Sequence, residues 1–360
     1  MTSVWSAERL DAWVRLIEGH PEVLSARLLP GPEPRIDVVP RSLVTETVEG
    51  WQYVFDDLYE SVAEASGGRD PRYAGWIDGL TGQAVPDAEM KEWADAVVGR
   101  IRALRPRRIL EIGAGTGMVM SRLLTDAGLE EYVATDFAPS SLAMLRATRD
   151  ARVRVLQAAA HDELPASEGG AYDTVVLNSV IQYFPSIDYL EDVIASAVAL
   201  TAEGGHVFLG DLRDTTLLET YYCQCAARSG TDFDLEFHQR RDYELSVSPD
   251  YVRSLGRRFE AVTAVEAASK QGRFRNEMTL FRFDAVLHLG CQPPDDHFRL
   301  PSPSGTDSPA PKQAPLPPGR AWSLLDSLTA LAGSTGGDLP DIRFRQRPIG
   351  DIEGKEAEHG

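Results

Sequence analysis

Short apolar runs alternate with helical stretches through the middle of this chain. Five of these runs have the length and composition of buried strands, and they lie at 109–112, 132–135, 153–157, 174–178 and 206–210. A helix is predicted at 87–104, just before the first of them, with Asp87 placed to cap its start. The alternation predicts an α/β fold in which helices cover both faces of a parallel sheet.

The two strands predicted after these have a different arrangement. Apolar runs at 259–265 and 277–287 are separated by the polar, glycine-containing loop SKQGRFRN, and the second run alternates apolar and polar positions. This pattern is typical of an antiparallel hairpin. We therefore expect the parallel sheet to end in a C-terminal hairpin.

Both ends of the chain differ from this central part in composition. Residues 1–40 predict a short helix followed by one or two strands with proline-punctuated turns. Residues 293–318 have the composition of an extended, poorly ordered linker, and a short amphipathic helix is predicted around 321–332. We interpret both ends as extensions of a central domain.

A glycine-rich turn between the first two predicted strands carries the strongest chemical signal. The first strand ends in EIGAGTG, a helix follows, and the second strand ends on Asp136. Glycine lets the backbone approach a ligand where a side chain would intrude. The three glycines fall at alternate positions, whereas a dinucleotide fingerprint leaves two residues before its last glycine. This spacing favours S-adenosylmethionine over NAD, with Asp136 as the acceptor of hydrogen bonds from the ribose hydroxyls.

Composition narrows the choice of ligand. A net charge of -19 over 360 residues argues against nucleic acid and anionic membrane surfaces as partners. The cysteines at 223, 225 and 291 form no CxxC pair, so a reducing cytoplasm fits best. The N-terminus lacks the apolar core of a signal peptide, and no apolar run reaches transmembrane length. A small cationic or zwitterionic molecule is the compatible class of partner.

Longer stretches of the sequence resemble a known family. LEIGAGTG followed by an acidic strand end resembles motif I of the class I methyltransferases. Residues 51–288 resemble the methyltransferase domains embedded in nonribosomal peptide synthetases and their free-standing relatives. The matching stretches are WQYVFDDLYE, GWIDGLTGQAVPDAEMKEW, RRILEIGAGTGMV, YDTVVLNSVIQYFPSIDYLEDVI, GGHVFLGDLRD and GRFRNEMTLFRFDAVL. The resemblance implies a Rossmann-like fold with a mostly parallel seven-stranded sheet, a C-terminal antiparallel hairpin and a helical N-terminal lid.

The resemblance also implies a division of the chain. Residues 1–45 resemble the start of the small subdomain of an adenylation domain, and 46–105 would form the helical lid. Residues 106–290 would form the catalytic domain that binds S-adenosylmethionine. Residues 291–360 would be a proline-rich linker and tail, in which LPDIRFRQRPI faintly resembles a continuation of the adenylation subdomain. The flanks would then serve packing, lid closure or contacts in a homodimer.

The cofactor contacts implied by the resemblance can be assigned residue by residue. The glycines would cradle the methionine portion, and Glu111 would order the turn or receive the ammonium group. Asp136 would bind the ribose, Phe137 would lie against the adenine, and Asp162 would accept a hydrogen bond from the adenine amino group. Asn178 would help to position the cofactor. The full set is Glu111, Gly113, Gly115, Gly117, Asp136, Phe137, Asp162 and Asn178.

Methyl transfer to nitrogen requires that a protonated amine or guanidinium lose a proton. A nearby carboxylate can bind the cation and receive that proton. Asp211 and Arg213 follow the fifth predicted strand and Glu277 begins the last one, so these three catalytic candidates are expected at one rim of the sheet. Arg213 or Arg275 would bind a substrate carboxylate through a bidentate pair, or would form a structural salt bridge.

An aromatic and acidic set is expected around the acceptor and in the lid. It consists of Tyr53, Tyr59, Glu89, Trp93, Tyr183, Tyr222, Glu244 and Arg275. The helical spacing of its N-terminal members is also that of ordinary packing, and Tyr183 can equally be a core aromatic. A subgroup of the resembling family uses iron held by two histidines. The comparable segments here, LLETYYCQ and GRFRNEM, contain no histidine, so no metal is expected.

These observations give one leading hypothesis. It is an S-adenosylmethionine-dependent N-methyltransferase acting on a small amino acid or amino-acid-derived metabolite in natural-product biosynthesis. The clustered acids Asp211, Glu277 and Glu244 favour a basic amine or guanidine as acceptor, arginine included. The alternatives are methylation at carbon or oxygen of an α-keto acid or related small acid, a carrier-tethered substrate, and a non-catalytic regulatory scaffold.

Overall fold

The computed structural model describes most of the central part of the chain and segments of both ends. The described residues are 7–18, 23–29, 35–40, 48, 50–56, 58–59, 70–73, 75–167, 170–229, 242, 244–270, 272–290 and 341–344. The predicted linker at 293–318 and the predicted helix around 321–332 lie outside them. None of the helices in the described ranges combines the length and the apolar character needed to cross a membrane.

The N-terminal part begins with one helix and a pair of strands. Helix α1 (Ala7–Glu18) is followed by β1 (Val23–Leu29) and β2 (Arg35–Pro40), which pair antiparallel. Leu10, Trp13 and Ile17 are spaced along one face of α1 and are buried. The predicted short helix and following strands are therefore present.

Short helical and strand segments follow along the chain. Residues 50–56 and 58–59 are helical, and β3 (Ile77–Asp78) pairs with β4 (Gln83–Ala84). Helix α2 (Asp87–Ala103) follows, with Pro86 as its N-cap and no side-chain cap hydrogen bond. The prediction that Asp87 caps this helix is wrong. Asp87 is the first helical residue, where its charge still complements the positive end of the helix dipole.

A seven-stranded sheet forms the centre of the molecule. Its strands are β5 (Arg108–Ile112), β6 (Glu131–Asp136), β7 (Val153–Gln157), β8 (Tyr172–Asn178), β9 (Thr201–Arg213), β10 (Val262–Ser269) and β11 (Arg282–Leu289). They lie in the order β10-β11-β9-β8-β5-β6-β7. β11 runs antiparallel to both of its neighbours, and the other adjacent strands are parallel. The predicted mostly parallel sheet with a C-terminal hairpin is confirmed.

Helices cover both faces of this sheet because the parallel strands are apolar on both sides. α2, α3 (Met118–Leu123) and α4 (Pro139–Arg146) pack on one face, and α5 (Ile187–Leu200) packs on the other. α6 (Leu218–Ser229) follows β9 along the chain, and α7 (Pro249–Leu255) packs in the same core as α5. Neighbouring residues of β5 belong to different cores: Ile109 packs with α2 and α3, whereas Leu110 packs with α5. The two cores hold the carboxyl ends of the parallel strands at one edge of the sheet.

The last predicted strand starts later than the alternation indicates. Residues 277–280 form the short helix α8 (Glu277–Leu280), and β11 begins only at Arg282. The cause is local, because the Asn276 side chain accepts a hydrogen bond from the Thr279 backbone N–H while the Thr279 hydroxyl accepts one from the Asn276 N–H. This capping box makes a helical turn more favourable than an extended start.

A strand from the far end of the chain returns to the N-terminal part. β12 (Asp341–Phe344) pairs parallel with β2, which gives the three-stranded sheet β1-β2-β12. A strand of the predicted tail therefore shares a sheet with the predicted N-terminal extension.

Candidate active site

The glycine-rich turn adopts the left-handed backbone that its composition allows. Gly113, Gly115 and Gly117 have φ values of 73°, 53° and 74°. A Cβ on Gly113 would lie 2.7 Å from Cγ2 of Val180, and one on Gly115 would lie 3.2 Å from the Tyr59 hydroxyl. Glycine adopts this conformation at little steric cost. The turn therefore exposes backbone at positions where any larger residue would fill the space.

Asp136 closes the turn from the neighbouring strand. Its Oδ2 accepts a hydrogen bond from the Gly115 N–H at 2.8 Å, and its Oδ1 accepts one from the Ala138 N–H at 3.0 Å. Burial raises the pKa of Asp136, and these backbone donors act against that shift. The Asp136 carboxylate lines the cavity beside the turn.

Glu111 is buried next to the turn and does not line the cavity. Its side chain is buried, and its Oε2 accepts a hydrogen bond from the Tyr132 hydroxyl at 2.6 Å. Burial raises the pKa of Glu111 to about 8. Of its two predicted roles, ordering the turn agrees with this position.

A cavity of about 680 Å³ extends from the glycine-rich turn across the carboxyl ends of β8 and β9. This volume lies within the range of small-molecule binding sites. Many of the residues predicted for the site line it, although they come from distant parts of the chain. They are Tyr59, Gly113, Gly115, Asp136, Phe137, Tyr183, Arg213, Tyr222, Glu244 and Glu277.

The helical residues 50–56 and 58–59 form an aromatic roof at the cofactor end of this cavity. Trp51, Phe55 and Tyr59 recur every four residues and line the cavity together. The Phe55 ring lies 4.9 Å from the Tyr183 ring. Tyr53, which was also predicted for the lid, is 74% exposed and does not line the cavity.

Two hydrogen-bonded contacts fasten this roof to the cofactor end. The Asp56 carboxylate accepts hydrogen bonds from the Ser140 backbone N–H at 2.9 Å and from the Ser140 hydroxyl at 2.5 Å. The Gln52 side-chain amide donates to the Phe137 carbonyl at 3.0 Å. The roof is thus attached to the segment that follows Asp136.

At the other end of the cavity, two buried arginines hold a group of carboxylates. Arg282 donates to Glu277 through Nε at 2.8 Å and through Nη2 at 3.2 Å, and its Nη1 donates to Asp211 Oδ2 at 2.8 Å. Arg213 Nη1 lies 2.7 Å from Asp242 Oδ1 and 3.2 Å from Glu244 Oε2. We call Asp242, Glu244, Glu277, Arg213 and Arg282 the acceptor cluster.

Asp211 lies below this cluster and does not line the cavity. It occupies a β-bulge opposite Asp284, with a φ of 64°. Its side chain is fully buried and accepts hydrogen bonds from Ser179 Oγ at 2.7 Å and Arg282 Nη1 at 2.8 Å. Burial alone would raise the pKa of Asp211, but Arg282 and Lys270 outweigh it and lower the pKa. The structure therefore corrects the prediction that Asp211 contacts the acceptor, because its carboxylate already accepts hydrogen bonds from Ser179 and Arg282.

Three other predicted acceptor or lid residues are also outside the cavity. Trp93 is a core residue of α2, and its indole N–H donates to Asp211 Oδ1 at 3.2 Å. Glu89 accepts a hydrogen bond from the Asn276 amide at 2.8 Å. Arg275 is exposed in the loop before α8. Trp93 and Glu89 therefore form hydrogen bonds within the protein and do not line the cavity.

Besides Glu111, three predicted cofactor residues lie beside the cavity without lining it. The Asp162 side chain is half exposed and accepts a hydrogen bond from the Ala159 N–H at 2.8 Å, while Ala158, Ala159 and Ala160 face the cavity. Asn178 is buried at the end of β8, packed against Gly210. Gly117 is the N-cap of α3, one step behind the turn.

Several cavity residues were missed by the sequence analysis. Arg282 had a detectable signal, since a charged residue in a buried apolar strand needs a partner. Trp51 and Phe55 share the four-residue spacing of Tyr59, whereas Tyr53 does not. Asp242 had no local signal. Among the described residues, no three His, Cys, Asp or Glu side chains are grouped so as to hold a metal ion.

Comparison with known proteins agrees with this architecture. Residues 110–207 match a family model described as a methyltransferase domain. The chain is 36% identical to the chondramide synthase cmdD of Chondromyces crocatus over 273 residues, which is 72% of this chain and 7% of the synthase. The chain belongs to the methyltransferase domain family.

This methyltransferase domain also matches a second synthetase and a solved structure. It is 33% identical to the probable non-canonical nonribosomal peptide synthetase CymA of Salinispora arenicola over 306 residues, which is 78% of this chain and 4% of that synthetase. A solved structure of magnesium protoporphyrin IX methyltransferase from Synechocystis PCC 6803, with bound SAM, is 11% identical, with a TM-score of 0.45 over 67% of this chain and 97% of that one. The chain spans less than a tenth of the length of the two synthetases.

Proposed function

We propose that this chain is an S-adenosylmethionine-dependent methyltransferase that methylates the amine or guanidine nitrogen of a small amino acid or amino-acid-derived metabolite in natural-product biosynthesis. One observation carries the proposal. A single cavity has a glycine cradle with a strand-end carboxylate at one end and the acceptor cluster at the other. The first end fits a nucleoside-type cofactor, and the second fits a small charged acceptor.

The residues of the cofactor end fit S-adenosylmethionine. Gly113 and Gly115 line the cavity with backbone in a left-handed conformation, and the Asp136 carboxylate lines it beside them. Phe137, Phe55 and Tyr183 supply aromatic surface next to Asp136 for a flat base. When bound, this cofactor supplies a methyl group on a positively charged sulfur. The chain itself orients the two reactants and excludes water from between them.

The acceptor cluster supports a cationic or zwitterionic acceptor. Glu244 and Glu277 both line the cavity and attract a positive group. In the described part of the chain, Arg213 makes its ion pairs through Nη1, so its remaining N–H groups can bind a carboxylate. An amino acid carries both kinds of charge. An α-keto acid, the leading alternative acceptor, would use Arg213 but has no positive group for the two glutamates to attract.

The relatives favour a role in natural-product biosynthesis. Further relatives are the beauvericin nonribosomal cyclodepsipeptide synthetase of Beauveria bassiana and the enniatin synthase of Fusarium equiseti. The chain's cytoplasmic location, its homodimer and its use of a free rather than a carrier-tethered acceptor stay predictions.

The proposal is tested by incubating the full chain with methyl-labelled S-adenosylmethionine and a panel of amino acids, amines, guanidines, keto acids and phenols. We expect label on nitrogen of at least one amino acid or amine, and mass spectrometry of the product identifies the atom. Methylation of keto acids or phenols alone would reject the N-methylation proposal. Calorimetry that shows no binding of the cofactor would reject the enzyme and favour a regulatory scaffold.

A further inference from the structure

The carboxylates at the acceptor end are not equivalent. Asp211 is buried beneath the cavity and is held by Ser179 and Arg282. Both oxygens of Glu277 are held by Arg282, through Nε and Nη2. Both carboxylates are therefore engaged by charged donors of the protein itself.

Asp242 is occupied as well. Its Oδ1 accepts hydrogen bonds from Arg213 Nη1 at 2.7 Å and from the Glu244 backbone N–H at 3.2 Å, and its Oδ2 accepts one from the Tyr222 hydroxyl. Both oxygens of Asp242 are therefore hydrogen-bonded within the protein.

Glu244 differs from these three carboxylates. Its Oε2 lies 3.2 Å from Arg213 Nη1 and 3.8 Å from Arg282 Nη2, and each of those nitrogens has a closer carboxylate partner. Within the described residues, no hydrogen bond ends on the Glu244 carboxylate. The side chain lines the cavity and remains 29% exposed, so it is open to a ligand.

We infer that Glu244 is the group that takes the proton from the acceptor nitrogen, an inference that rests on the proposed N-methylation. An ammonium acceptor gives one proton to Glu244, and the nitrogen lone pair that is freed forms the new N–C bond. The electron pair of the broken S–C bond stays on the sulfur of the methyl donor. The product leaves as a secondary ammonium ion, and Glu244 returns its proton to water through the cavity opening.

The surroundings of Glu244 are compatible with this role. The charged and titratable groups that face it are Asp242 on its own segment, Arg213 on β9, Arg282 on β11, Glu277 on α8 and Tyr183 after β8. Burial raises the pKa of Glu244, and Arg213 and Arg282 reduce this effect without cancelling it. A base is most effective when its pKa lies near the working pH, so a raised carboxyl pKa favours proton uptake.

The test compares Glu244→Gln with the wild type over a range of pH. We expect kcat/KM to fall by about 100- to 10,000-fold, as for the loss of a general base. We also expect the wild-type rise of kcat/KM with pH on the acidic side to be absent from the variant. Calorimetry should give the same cofactor affinity for both proteins, since Glu244 belongs to the acceptor end.

Two further variants separate the proton acceptor from a general loss of charge. Glu277→Gln removes a carboxylate from the same cavity but should keep the acidic limb of the pH profile. Glu163→Gln, at an exposed position remote from the cluster, should leave both the rate and the profile unchanged. If Glu244→Gln does not fold, Glu244→Asp is used, with an expected partial loss of rate and a retained acidic limb.

The outcomes distinguish the two hypotheses. If the wild type methylates no amine or guanidine, the proposed function fails and the role of Glu244 fails with it. If the wild type is active and Glu244→Gln keeps its rate within threefold and its acidic limb, only the role of Glu244 is overturned. Loss of cofactor affinity in both Glu244 variants would also overturn it, because it would indicate a structural role.

Discussion

The two ends of the cavity are built in different ways. At the cofactor end, backbone groups of one turn and the carboxylate of the adjacent strand act together, and all lie between residues 111 and 137. At the acceptor end, side chains converge from β9, from the segment 242–244, from α8 and from β11. The turn and carboxylate of the cofactor end are thus local in sequence, although its aromatic surface is not. The acceptor end is a product of the complete fold.

This difference indicates that the glycine-rich turn is constrained in sequence and that the acceptor cluster can vary between related domains. In the proposed complex the turn contacts the cofactor through backbone, so substitution of nearby side chains should change it little as long as glycine is kept. The acceptor cluster consists of ion pairs whose members can be exchanged one at a time. We expect related domains to differ mainly at the acceptor end, where a changed charge pattern selects a different acceptor.

The largest effect is expected from Arg282→Met, which removes the charge shared by Asp211, Glu277 and Glu244. Breaking a buried ion pair by removing one partner costs about 3–5 kcal/mol of unfolding free energy, because the remaining charges stay buried. Urea denaturation measures the change. Arg273→Met is the matched control, since Arg273 is 88% exposed and pairs with Glu92; it should cost less than about 1 kcal/mol. Equal losses in the two variants would contradict the central position of Arg282.

The second prediction concerns the pH dependence caused by Glu111 at the cofactor end. Its pKa rises from 4.5 to about 8 on folding, so the folded protein binds more protons than the unfolded one between these pH values. Stability contributed by this group is therefore lost as pH rises through that window, at up to about 1.4 kcal/mol per pH unit.

Glu111→Gln should remove this slope and stabilise the protein near pH 8. The comparison is between the slopes of the two proteins, because Asp136 and Glu244 also have raised pKa values and contribute in the same direction. Thermal unfolding from pH 5 to pH 8 provides the measurement. Parallel curves for wild type and variant would show that Glu111 is not the titrating group.

The third prediction separates two aspartates that were both expected to contact the cofactor. Asp136→Asn weakens an acceptor that lines the cavity, whereas Asp162→Asn changes a half-exposed side chain beside it. A hydrogen bond to a charged group contributes about 1.5–3 kcal/mol, which corresponds to roughly 10- to 100-fold in cofactor affinity. We expect that loss for Asp136→Asn and less than about threefold for Asp162→Asn by calorimetry. The reverse order would place the ribose elsewhere.

The smallest effect is expected at the aromatic roof. Asp56→Ala removes the acceptor of two hydrogen bonds from Ser140 at the start of α4. Loss of such a cap costs about 1 kcal/mol, so cofactor affinity should fall by a few-fold with a faster dissociation rate in stopped-flow measurements. Tyr53→Ala, on the exposed side of the same segment, should change neither value.

Sequence reasoning was most successful where the signal is local. The alternating glycines, the strand ending on Asp136 and the repeated apolar runs depend on neighbours along the chain, and the structure places Gly113, Gly115 and Asp136 together in the cavity. The central sheet followed from the same periodicity. The error at 277–287 also arose from a local effect, because the Asn276 capping box was not recognised.

The acceptor end was less accessible because its residues are related by folding rather than by spacing. Asp211 was correctly located near the carboxyl end of β9, but the bulge there turns its side chain inward toward Trp93 and Arg282. No periodicity reveals a single-residue bulge. The role of Asp242 was equally hard to predict, because helix α6 separates it from Arg213 along the chain.

The parallel pairing of β12 with β2 determines where the intervening chain is attached. Arg35 lies opposite Asp341 and Val38 lies opposite Phe344. Because the two strands run in the same direction, the chain leaves β2 at Pro40 and returns at Asp341, beside the opposite end of the strand. At about 3.3 Å per residue, these two points are about 16 Å apart. The small sheet therefore anchors residues 41–340 at both ends of one strand and ties the tail strand to the N-terminal part.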